Sequence, residues 1–262
     1  MNLKYKKQFN LIRKKLRIEK IISIGFSNTK SNQYIKFKDT ACTALLRCFQ
    51  NNTLTYIDRK TGQFCPGGDY FLDINNISPE EVNDVYVKNE KVFQNNIICN
   101  KFIKNLPNYP DVAKTKYILF TPLAKEKNKP DVIIMLANPS QAGRILGLSV
   151  YEKFSQPLIL PALSTCASIY APIESGKIHL NFIDYYDRYY QGKQKGLSLW
   201  KDSDLIISMP FGIFEEIIRH IPLSAHGSFI PKINPQKFDS IRISGVRVKR
   251  AIKTRGGTNK DQ

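Results

Sequence analysis

Acidic residues and histidines are scarce in this chain: 22 Asp and Glu stand against 40 Lys and Arg, with 3 His among 262 residues. His179, His220 and His226 form no HExxH or other metal-binding spacing, so a histidine-ligated metal and a histidine base both lack a signature. Walker loops, GxGxxG and GxSxG are absent, which removes the usual sequence support for ATP binding, dinucleotide binding and serine hydrolysis. No apolar run approaches the roughly 20 residues that cross a bilayer. The first 20 residues are broken by cations throughout and lack the apolar middle of a secretory signal. Five cysteines, an odd number, do not make the disulfide framework of a secreted protein. A cytoplasmic protein with reduced thiols is expected.

What is present is a chain long enough for a substantial core, 42% hydrophobic, with 14 Gly and 14 Pro. The formal charge of +18 admits two readings. Clustered Lys and Arg can bind nucleic acid by releasing counterions from phosphate. Alternatively, the abundance of Lys, Asn and Ile throughout reflects compositional bias. The cations are densest at the two ends, around Lys4 to Arg17 and from Arg247 to Arg255, and no aromatic–basic interleaving marks an RNA-recognition sheet.

Apolar residues at helical spacing among the cations of residues 3–19 predict an amphipathic helix. Strands are expected over Ile21 to Phe26, Thr53 to Ile57, Tyr117 to Pro122, Val132 to Ala137, Ile178 to Phe182 and Leu205 to Met209. Asp39 or Thr40 caps a helix reaching about Phe49, ended by Asn51 and Asn52. Ser78-Pro79-Glu80-Glu81 carries a capping box, and a further helical segment ends before Pro107. Asn138 caps a helix opened by Pro139 and reaching about Phe154; Pro210 opens another. A strand followed at once by a proline-initiated helix, twice, predicts an α/β fold, a mixed sheet with packed helices; two similar halves are the reading of the repeated cysteine layout described below. The expected organisation is a basic N-terminal helix (1–20), one α/β domain (21–245, with halves 21–125 and 126–245) and a basic mobile tail (246–262).

Thiols carry the candidate chemistry, since a thiolate binds soft metals and acts as a nucleophile. Cys42 and Cys48 are six positions apart, about 600° around a helix, so they face different ways and cannot readily share one ion. Cys48 fits a core stripe, whereas Cys42 lies in a helix first turn, where free amides favour a thiolate. Cys65 comes 23 positions after Cys42 with a strand between, which lets the two sulfurs approach. Its followers Gly67 and Gly68 can adopt positive φ and turn amides toward an anion or cluster sulfide. The alternative is a tight turn with a buried cysteine. Cys166, a strand, and Asp184 eighteen positions on repeat the layout of Cys42, strand and Cys65. If this is an internal duplication, two half-sites face one another. Asp187-Arg188 either binds an anion or forms an internal ion pair. Asn138 and Gln141 are helix-start residues whose neighbouring amides can receive an anion.

Cys42-Thr43-Ala44-Leu45, Cys65-Pro66-Gly67-Gly68, Pro130-Asp131-Val132-Ile133-Ile134, Asn138-Pro139-Ser140-Gln141-Ala142, Cys166, Asp187-Arg188 and Ile207-Ser208-Met209-Pro210 together resemble a known family. It is the family catalogued as domain of unknown function 169, found in archaea, notably methanogens, and in anaerobic bacteria. The resemblance covers about residues 20–222. It implies conserved cysteines at Cys42, Cys65 and Cys166, and a further cysteine before the Asp-Arg pair, where this chain has Asp184. The expected site is an iron–sulfur cluster or other soft metal on Cys42, Cys65 and Cys166, with Asp184 as fourth ligand or an open position. Gly67, Gly68, Asn138, Gln141 and Arg188 surround it, with a redox or maturation role in anaerobic metabolism. Two alternatives stand beside it: a nucleic-acid-binding protein acting through its basic ends, and a metal-free cysteine enzyme with Cys65 or Cys166 as nucleophile.

Overall fold

Capping residues set most helix boundaries in the structure, a computed structural model that describes residues 3–37, 39–60, 65–75, 77–107, 111, 114–160, 165–183 and 200–227. Helix α1 (Leu3–Leu16) buries Tyr5, Gln8, Ile12 and Leu16 and leaves its cations in water. It ends before the expected residue 19 because Arg17 takes φ 58°, which breaks the helix. In α2 (Ala41–Asn51) the Thr40 side chain accepts from Thr43 N, and Asn52 closes the helix in the left-handed region. Helix α3 (Pro66–Phe71) is followed by α4 (Pro79–Asn83), opened by the Ser78–Glu81 capping box and continued by a π-helical stretch, Asp84–Asn89. Next come α5 (Asn96–Asn105), α6 (Pro139–Ser149), α7 (Ala167–Ser175) and α8 (Phe211–His220). Helix α6 stops short of Phe154: Ser149 Oγ donates to Leu146 O, the local bond that competes with the helix.

Among the described residues eight strands form one mixed sheet: β1 (Lys20–Ser27), β2 (Ile35–Lys36), β3 (Thr55–Asp58), β4 (Tyr117–Pro122), β5 (Val132–Ala137), β6 (Leu158–Leu160), β7 (His179–Phe182) and β8 (Leu205–Pro210). Their order is β2-β3-β4-β1-β5-β8-β7-β6. With the helices packed on both faces, this is an α/β fold.

The order contains a repeat. From the centre outward, β1 pairs antiparallel with β4, β4 antiparallel with β3, and β3 parallel with β2. On the other side β5 pairs antiparallel with β8, β8 antiparallel with β7, and β7 parallel with β6. Each parallel pair is bridged by one helix, α2 in the first half and α7 in the second. The halves meet through the antiparallel β1–β5 pair, the arrangement produced by an approximate two-fold axis normal to the sheet. Such an axis keeps the two bridging helices on one face, and both contribute to the same core with Ile24, Ile118, Phe120, Ile134 and Ile206. Alternate residues of the same strands enter the opposite core, as the two-residue period of a strand requires. There Ile133, Met135 and Ile207 pack under Ile145 and Leu148 of α6, Phe214 and Ile217 of α8, and Ile12 of α1.

Candidate functional site

The first turn of α2 carries Cys42, and Cys166 is the residue from which α7 starts. Their sulfurs lie 3.4 Å apart although 124 positions separate them in the chain. Thr55 and His179, which open β3 and β7, are separated by the same interval. The two cysteines therefore occupy corresponding places in the two halves and meet on the face that carries both bridging helices. Neither is in a disulfide, and both are buried, at 5% and 4% exposure. The positive ends of the α2 and α7 helix dipoles lie at the pair, which favours negative charge on sulfur.

Around the pair the side chains are small or polar. Ala41, Thr43, Ala44, Ala167 and Ser168 are fully buried, and Ser168 Oγ accepts from Asn181 Nδ2 of β7 at 3.0 Å. Thr165, beside Cys166, is 2% exposed, and its hydroxyl has no hydrogen-bond partner among the described residues. No third His, Cys, Asp or Glu joins the pair in a metal-binding group among the described residues. A tetrahedral ion with two thiolates at about 2.3 Å would hold the sulfurs about 3.8 Å apart. A disulfide needs about 2.05 Å. At 3.4 Å the pair stands closer to the first spacing than to the second.

Cys65 caps α3, accepting from Gly68 N at 3.4 Å. The expected positive-φ turn at Gly67 and Gly68 is absent: both lie in α3, and Gly176 is the positive-φ glycine among the described residues. Gly67 is required for a different reason. A Cβ there would stand 2.8 Å from the Tyr86 hydroxyl, so glycine is what lets that ring approach α3. Asn138 and Gln141 form a reciprocal capping box with both bonds at 2.9 Å, and Gln141 Nε2 donates to Arg17 O. These contacts are structural, tying α6 to the end of α1. Asp184, Asp187 and Arg188 lie outside the described residues, as does the basic segment from Arg247. Cys48 and Cys99 are buried core thiols, each pushed up from its ordinary pKa by burial. His179 is buried in β7 and held neutral, its pKa pushed down to about 4 by burial and then by Lys177.

The chain spacing brings Cys42 toward Cys65, while the repeated layout aligns Cys42 with Cys166. A stronger signal lies in the strands. Leu54-Thr55-Tyr56-Ile57-Asp58 and Leu180-Asn181-Phe182-Ile183-Asp184 keep Leu, Ile and Asp in common, and the match is one pleat out of step with the ladders, so Thr55 and Tyr56 face as Asn181 and Phe182 do.

No helix among the described residues is long and apolar enough to cross a membrane. No curated protein and no solved structure matches the chain. The family described as uncharacterised ArCR, domain of unknown function 169, matches residues 12–220. That span contains both halves of the sheet and the cysteine pair, and the chain belongs to this family.

Proposed function

We propose that this is a metal–thiolate protein, binding a soft metal ion or an iron–sulfur cluster through Cys42 and Cys166, with electron transfer or metal delivery as its task. The observation that carries the reading is the meeting of the two sulfurs at 3.4 Å from opposite halves of the fold. Soft thiolates select such ions, and two helix starts offset the charge of the bound thiolates. Asp184 follows Ile183, whose side chain belongs to the same core as the cysteines, and is the candidate further ligand. Thr165 Oγ1 is available to an anionic or aquated ligand.

Anaerobic purification followed by iron, sulfide and zinc analysis tests this. Stoichiometric metal that falls at least about ten-fold in both Cys42→Ser and Cys166→Ser, and stays in Cys48→Ser, is the expected result. A metal-free protein unaffected by the first two substitutions overturns it. The pair without a third ligand among the described residues favours a second reading, a dithiol–disulfide couple in which oxidation releases two protons and two electrons as the S–S bond forms. Peptide mapping of metal-free, air-exposed protein would then show Cys42 joined to Cys166.

A further inference from the structure

The face opposite the cysteines is covered differently in the two halves. In the second half Met135 of β5 pairs with Ile207 of β8, and both are fully buried beneath α6 and α8. The corresponding pair in the first half is Gly25 of β1 with Leu119 of β4. Instead of helices, the segment 28–34 and the β4–β5 connection flank it, and a cavity of about 390 Å³ remains over these strands. That is within the range of small-molecule sites.

Four lysines line the cavity: Lys30, Lys125, Lys127 and Lys129. None of them belongs to an ion pair among the described residues. Neutral groups hold three of them. Lys30 Nζ lies 4.5 Å from the centre of the Tyr56 ring, Lys125 donates to Asn52 O, and Lys127 to Gln33 Oε1 at 3.2 Å. The connection that carries three of the lysines is anchored from within. Glu126 is 5% exposed and accepts from Ser23 Oγ at 2.5 Å, Lys127 N at 2.8 Å and Asn128 N at 2.9 Å. Its charge is thus spent on the backbone of the loop rather than on the lysines. Asp131, the other acid in the lining, accepts from Phe26 N at 2.8 Å. Ser27, Thr29 and Ser31 add hydroxyl donors, while Gly25, Leu54 and Leu119 supply an apolar floor.

We infer that this cavity binds a phosphorylated small molecule of mononucleotide size, its phosphate among the lysines and its ring against the Gly25–Leu119 floor. Ammonium groups bind phosphate as point charges, and holding them on neutral acceptors leaves their charge for the ligand. This site is independent of the cysteine pair, and its failure leaves the metal–thiolate reading untouched.

Calorimetric titration of the full chain with AMP, inorganic phosphate and adenosine tests the inference. AMP and phosphate are expected to bind competitively, AMP more tightly, and adenosine not to bind. Lys127→Ala/Lys129→Ala should weaken both at least about ten-fold, and Gly25→Val should weaken AMP while sparing phosphate. The control Lys14→Ala/Lys15→Ala makes the same charge change on the exposed face of α1 and should stay within about two-fold. Methyl NMR of the unaltered protein should show AMP shifting Leu54 and Leu119 but not Leu148. Absence of AMP and phosphate binding overturns the proposal, as does an equal loss in the control or methyl shifts that bypass Leu119.

Discussion

The two halves of the sheet share strand order, pairing sense and bridging helix, yet only one face of the molecule keeps that symmetry. On the cysteine face α2 and α7 take corresponding places and bring Cys42 against Cys166. On the other face the second half is sealed by α6 and α8, while the first half ends in a lysine-lined cavity. The symmetric face thus brings two like residues together, and the asymmetric face leaves strands uncovered. One fold repeat yields two different environments.

Substitution at the matched floor positions probes this contrast most strongly. Ile207→Ala removes a fully buried side chain under two helices and should cost about 2–5 kcal/mol. Leu119→Ala, beside the cavity, should cost roughly half as much, since fewer atoms surround it on that side. Urea unfolding measures both, and equal losses would mean that the first half is as well covered as the second.

Glycines offer a second contrast. A Cβ at Gly67 meets the Tyr86 hydroxyl at 2.8 Å, so Gly67→Ala should lose about 1–3 kcal/mol. At Gly25 the nearest atom would be 3.9 Å away, and Gly25→Ala should change stability by no more than about 0.5 kcal/mol. Thermal unfolding of the two variants side by side would settle the difference.

A third contrast concerns acid. His179 keeps a pKa near 4 in the folded protein against an ordinary value of 6.5. The unfolded chain therefore takes up its proton first, and stability present above about pH 6.5 declines as the pH falls toward 4. Thr55 stands at the matching position of the first half. His179→Thr, which copies that half, should flatten the decline in urea midpoint between pH 7 and pH 4; an unchanged slope would place the acid sensitivity elsewhere.

Much of the fold was readable because its signals are local. Tyr117 to Pro122 and Val132 to Ala137 are short apolar runs bounded by polar residues, and the observed strands coincide with them. The boxes at Ser78 and Asn138 involve neighbours three positions apart, so a window of a few residues holds all the information. Strands β2 and β6 escaped because each is an edge strand of two or three residues, defined by its partner more than by its own pattern. At Cys65-Pro66-Gly67-Gly68 the glycines suggested a turn, whereas the close ring of Tyr86, contributed by a later helix, decides why glycine is there. The cysteine contact was only half legible. Sequence shows two cysteines before two similar strands, but the sheet order that brings them together is a long-range property.

The contact between Cys42 and Cys166 also lies across the seam between the halves, whose strands are otherwise joined through β1 and β5. Any bond made there, to a shared metal or between the sulfurs, closes a loop spanning 124 positions. In the chain-entropy estimate a covalent closure of that length removes about 5 kcal/mol of unfolded-state freedom. A filled site would act as a clasp: slow hydrogen exchange should spread from the central strands to both halves together, and emptying it should let the halves open separately.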